Sequence, residues 1–350
     1  MNKFCLIIFS RFSLPDLVTK SILEILKMNR SLSCRLALVC AVLLTLCCFN
    51  VASAQFGGIG NAAKKVLNKT DVASALAGKA PITTSLPDAI WGAPDKDSFT
   101  PREPARSLTA LQRTANGGFI LQPGYYRMQD QSYCLHAGTY GPGGGDGYLY
   151  APPKGSAEDA VISVVRNSVQ HPEIDQHIVQ ELLWAIVARA KFEDLSTELK
   201  LAASRLLTQR QLAMLNRSGL DMIPGPAMDK AIGSAPAPLR QAMQAEAQMR
   251  QMFNSGSATY ADLERIAVLG GNAPRGEGSL GVPSGRWSLH PDGYYVRYIP
   301  SSYSSTRVEI WVPQGSPTVG KEYDPATHIA VPGNTSRQRL IQSGRIRQEM

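Results

Sequence analysis

The sequence predicts an α+β protein: a mainly helical central domain followed by a small C-terminal antiparallel β-module. Three observations predict it. Apolar residues recur at helical spacing from Ala157 to about Gly270, the period switches to two between Trp287 and Val312, and a Pro- and Gly-rich arm precedes Gly117. With 44% hydrophobic and 18% charged residues among 350, the chain has enough apolar surface to build a core.

The first element is a leader over residues 1–54. From Met28 onward, Arg30 and Arg35 form a basic n-region, Leu36 to Phe49 an apolar h-region, and Ala52-Ser53-Ala54 a small-residue cleavage pattern, which places the cut before Gln55. The apolar run is shorter than the roughly 20 residues a bilayer-spanning helix needs. Asp16 and Glu24 put acidic charge where an export leader is basic, so Met28 is the expected start and 28–54 the signal peptide. Membrane contact is then transient and confined to that peptide. Export leaves 30 basic and 26 acidic residues from Gln55 onward, a mild surplus without the clustered Lys and Arg of a nucleic-acid footprint. Five of the six cysteines lie in the leader, so the mature chain keeps Cys134 and forms no internal disulfide. The expected location is the periplasm or cell exterior of a bacterium.

Residues 55–116 read as an extended, flexible arm, because Pro81, Pro87, Pro94, Pro101 and Pro104 interrupt any long helix. The next unit, 117–270, opens with a Tyr- and Gly-rich extended segment. Its loop from Gly141 to Gly147 has no Lys-Ser or Lys-Thr after the glycines and reads as a turn, not a phosphate cradle. Helices follow: one capped by Ser156 with Val161, Val164 and Val165 inward, one starting at Pro172, and two opened by Ser196 and Thr208. Two more run from about Pro238 to Phe253 and from Tyr260 to Leu269. A β-module over 271–332 has about three strands, joined by a turn at His290-Pro291-Asp292-Gly293 and a connection from Pro300 to Ser305. Residues 333–350, with Arg337, Arg339, Arg345 and Arg347, read as a basic, helical, solvated tail.

Candidate chemistry falls in three groups. Cys134 and His136 pair a lone thiol with an imidazole in a Gly-rich stretch; in an extended strand they point the same way, about 7 Å apart, so a distant histidine (His171, His177, His290 or His328) is the better base. Buried packing is the competing reading of the thiol. His177 and Glu181 share a helix face at i and i+4, and with His171 form a candidate metal triad; the competing reading is a charged helix start with a surface pair. Tyr133, Tyr148, Trp287, Tyr295 and Trp311 are candidate binding residues, since rings with a polar tip suit sugar faces and peptides.

The resulting expectation is an exported bacterial cell-envelope protein with a non-catalytic binding or assembly role. Its partner is an envelope polysaccharide, peptidoglycan or an envelope protein, with no nucleic acid and no cofactor. The alternative is a cysteine-dependent hydrolase or transferase using Cys134 with a histidine.

Overall fold

Strand β1 (Gly124–Cys134) alternates as a strand between two environments must, with Tyr126, Met128, Asp130 and Ser132 buried on one side and Arg127 exposed on the other. Five more long strands join it: β2 (Tyr148–Ala151), β3 (Tyr295–Ser302), β4 (Ser305–Val312), β5 (Ile329–Pro332) and β6 (Leu340–Ile346). All neighbours are antiparallel, in the order β1-β6-β5-β2-β3-β4, and β4 pairs again with β1. The sheet therefore closes into a six-stranded barrel, which leaves its own strands no free edge. The computed structural model describes residues 80–216, 233 and 237–346, all within one compact unit from Lys69 to Met350.

Among the described residues, six α-helices lie between β2 and β3 in the chain: α1 (Glu158–Ser168), α2 (Gln176–Ala188), α3 (Thr197–Leu206), α4 (Gln209–Leu215), α5 (Ala237–Ser255) and α6 (Tyr260–Ala267). Their starts are set locally. Ser196 accepts from the N–H of Leu199, and Thr208 forms a capping box with Gln211. α2 begins not at Pro172 but after Asp175, whose carboxylate accepts from the N–H of His177.

The two faces of the barrel wall serve different cores. Inward, Tyr126, Met128, Tyr148, Tyr298, Val308 and Leu340 fill the lumen. Outward, Tyr133, Leu149, Ile329 and Ile341 pack against Val161, Val165, Leu182 and Trp184 of the helical layer. Each such fully buried aliphatic side chain stabilises by roughly 1.5–3 kcal/mol. The helices α1 and α2 meet β6 and β1, so one side of the barrel is covered.

These observations correct the expectation of a mainly helical domain with a small separate β-module. The Tyr/Gly-rich segment supplies β1 and β2, which pair with strands from beyond residue 271, so the expected boundary at 270 runs through a single sheet. The three-stranded meander exists as Ser288–Leu289, β3 and β4, but it is one side of the barrel. The basic tail is not a helix: residues 340–346 form β6. β6 bulges between Gln342 and Ile346, where Gly344 takes φ +77 and donates its N–H to Asp130 at 2.9 Å. L side chains rarely adopt that φ, and a Cβ there would stand 3.2 Å from the Pro325 ring, so the bulge favours glycine. The leader, the arm before Ala80, the stretch around Gly219 to Pro226 and the end of the tail from Arg347 lie outside the described residues.

Candidate functional site: an aromatic and charged wall of the barrel

The register of β1, β4 and β3 sorts their outward side chains into rungs. Tyr125, Trp311 and Tyr295 sit side by side; one rung on come Arg127, Glu309 and Arg297; next come Gln129, Arg307 and Ile299. The sequence folds this way because inward positions of the same strands (Val296, Tyr298, Val308, Ile310) fill the lumen and turn the alternate ones to the outer face, where Arg127 and Arg307 are exposed and Tyr125 and Glu309 are buried.

At the aromatic rung, Trp287 adds a fourth ring, 6.1 Å from Tyr125, and is itself 1% exposed. Phe99, from the Pro-rich arm, enters among them. Its ring lies parallel to Trp287 (5.4 Å between centroids, 5°), edge-on to Tyr295 (5.1 Å) and 4.7 Å from Trp311. Both indoles donate to the arm: Trp287 Nε1 to the carbonyl of Phe99 at 3.0 Å, and Trp311 Nε1 to Glu103 Oε1 at 3.2 Å.

The charged rung centres on Glu309, which is buried and accepts from Arg297 Nε at 2.6 Å, from Arg307 Nε at 2.9 Å and from the Tyr125 hydroxyl. The Arg297 guanidinium also lies 4.3 Å over the Trp287 ring. Burial first, and Glu309 next, push the Tyr125 phenol above its ordinary pKa, so this hydroxyl stays a donor. Beyond lies a depression of about 400 Å³ lined by Gln129, Pro300, Ser301, Ser302, Ser305 and Arg307. The wall thus runs from flat aromatic faces through two arginines to a patch of amides and hydroxyls. It offers stacking surface, directed donors and fixed charge.

No family model, curated protein or solved structure matches the chain. The geometry alone carries the reading.

Of the expected binding residues, Trp287, Tyr295 and Trp311 come together on this wall. Tyr133 and Tyr148 do not: Tyr133 is fully buried under the helical layer, with its phenol pushed up to about 12 by burial, and Tyr148 faces the lumen. Cys134 is fully buried at the end of β1, where Gln180 of α2 brackets its backbone through bonds of 2.8 and 3.1 Å. Its Sγ sits 3.6 Å from the carbonyl oxygen of His136, and burial pushes the thiol up to about 11. The Nδ1 of His136 is buried without a partner, and desolvation, then Arg339, holds this imidazole well below its usual pKa. A protonated, enclosed thiol with no imidazole bonded to it is the packing arrangement, not an activated nucleophile.

The expected metal triad is not assembled. His171 Nδ1 contacts Glu173 at 3.0 Å, while His177 stands 3.7 Å from Asp175 and its ring lies 4.2 Å from that of Tyr260. Glu181 is half-buried, and burial, then Glu198, pushes its carboxyl up to about 7. Among the described residues, no group of three His, Cys, Asp or Glu side chains could hold a metal ion. Phe99, Arg297, Arg307 and Glu309 are site residues that sequence reasoning missed. The usable signal for Glu309 was strand parity, since positions 307, 309 and 311 alternate with the apolar 308, 310 and 312.

Proposed function

We propose that the chain is an exported bacterial cell-envelope protein that binds or helps assemble a partner without catalysis, and that the partner docks on the β1–β4–β3 wall. The observation that carries this reading is the aromatic rung: Tyr125, Trp311 and Tyr295 in register, beside Trp287, at the opposite end of β1 from Ser132 and Cys134, which Gln176 and Gln180 of α2 contact. The leader pattern from Met28 to Ala54 supports export. The buried thiol supports a role without covalent chemistry. The partner classes that fit are an envelope polysaccharide, peptidoglycan included, and an envelope protein.

Two measurements test the reading. N-terminal sequencing of protein recovered from cell fractions should give a periplasmic or secreted product beginning at Gln55. Retention on immobilised envelope polysaccharide or envelope protein should fall at least ten-fold with Trp311→Ala or Tyr295→Ala. Unchanged retention by both variants would remove the wall as the docking surface.

A further inference from the structure

We infer that the aromatic end of the wall is a recognition groove for a proline-interrupted polypeptide, and that the arm segment from Phe99 to Pro104 occupies it in cis. This inference rests on the binding role proposed above and names the chemical class of the partner: an aromatic residue, a proline two positions on and a carboxylate four positions on.

The seated segment reads Phe99-Thr100-Pro101-Arg102-Glu103-Pro104. Its ring fills the space among Trp287, Tyr295 and Trp311, its first carbonyl takes the Trp287 indole N–H, and its carboxylate takes the Trp311 indole N–H. Pro101 is buried. Aromatic rings that flank a Pro-containing chain, with indole N–H groups aimed at its acceptors, are the general means of reading such chains. Proline fixes φ beforehand, so little entropy is lost on docking.

The segment is held by side chains, not by the barrel's ladder. Among the described residues, no backbone–backbone hydrogen bond is made from Ser98 to Ala105. Order returns on either side: before it, the N–H groups of Lys96 and Asp97 both donate to the Ala93 carbonyl at 2.9 Å, and after it Arg106–Ser107 pairs with β1. A loop tied at both ends and docked by one ring and two indole donors opens locally while the barrel stays closed. Being tethered, it competes at an effective concentration on the order of millimolar, which hides the groove from a weaker partner in trans. Arg297 and Arg307 lie along the same wall and favour a chain that is acidic beyond its aromatic residue.

The test uses the full-length protein and a fluorescein-labelled synthetic peptide spanning Asp97 to Arg106. Fluorescence anisotropy should show the peptide binding a Phe99→Ala/Glu103→Ala double variant at least ten-fold more tightly than the parent chain. Adding Trp311→Ala to that variant should abolish the gain, and a peptide with Glu103→Gln should lose several-fold. Far-UV circular dichroism and thermal unfolding establish that each variant is folded. A folded double variant that does not bind the peptide overturns the inference. If it still binds envelope polysaccharide in a Trp311-dependent way, the docking wall stands and only the polypeptide class falls; if it binds neither, both fall.

Discussion

Phe99 and Trp287 hold each other twice: their rings are stacked 5.4 Å apart at 5°, and the Trp287 indole N–H donates to the Phe99 carbonyl at 3.0 Å. A residue from the arm and one from the edge of the β-meander, 188 positions apart, thus form one unit on the wall. Phe99→Ala removes the ring contacts with three partners but leaves the barrel ladder untouched. The expected cost is about 1–2 kcal/mol in urea unfolding, with Trp287 becoming open to acrylamide quenching. Unchanged quenching would mean that the ring does not cover the indole.

Glu309 anchors the charged rung. Glu309→Ala leaves Arg297 and Arg307 facing each other without their shared acceptor. Both arginines reach solvent in part, so the expected loss is about 2 kcal/mol, below that of a fully enclosed pair. Glu309→Gln keeps an acceptor and should cost about half as much. Denaturant midpoints of the two variants, compared with the parent, check the order.

Glu181 predicts a specific pH dependence. Its carboxyl ionises near 4.5 when exposed and near 7 in the folded chain. Between these values the folded state holds a proton that the unfolded state has lost. The group's contribution is therefore fully present below pH 4.5, falls as pH rises toward 7 and is level above it. Because the side chain is only half-buried, about 1 kcal/mol is expected. Half-buried His290 and buried His328, held down to about 4 and about 3 by desolvation first, act in the opposite sense as pH falls below 6.5. The parent minus Glu181→Gln difference isolates the carboxylate, and a flat difference between pH 4.5 and 7 would contradict the assignment.

Cys134 should react with a small thiol reagent only when the chain opens. The expected labelling rate at neutral pH tracks unfolding: slow in buffer and fast in denaturant. Rapid labelling of the native protein would restore the thiol as a candidate nucleophile.

The helices were readable because their signals are local. Ser196 and Thr208 cap within four residues, and the apolar spacing of α2 is contained in α2 itself. The barrel was not. Its closure needs β1 to meet β6 and β2 to meet β5, pairings that span about half the chain, and no local pattern states them. Its lumen also accepts polar groups: Asp130 takes the Gly344 N–H, and the Thr306 hydroxyl donates to that of Ser132. β1 and β6 therefore lack a purely apolar inner face. The arginines near β6 then suggested a helical tail. Of the wall, Trp287, Tyr295 and Trp311 stood out as aromatic residues near one another in sequence. Phe99 did not, because a Pro-rich arm carries no period from which its docking can be read.

The most direct test of the docking wall places a photoreactive amino acid at Arg127, exposed on the charged rung, and a second at Leu201, 56% exposed on α3. After illumination of living cells, Arg127 should give a discrete adduct that Trp311→Ala abolishes, while Leu201 should give none. Equal labelling from the two positions, or an adduct from Leu201 alone, would contradict the assignment of this wall as the docking surface.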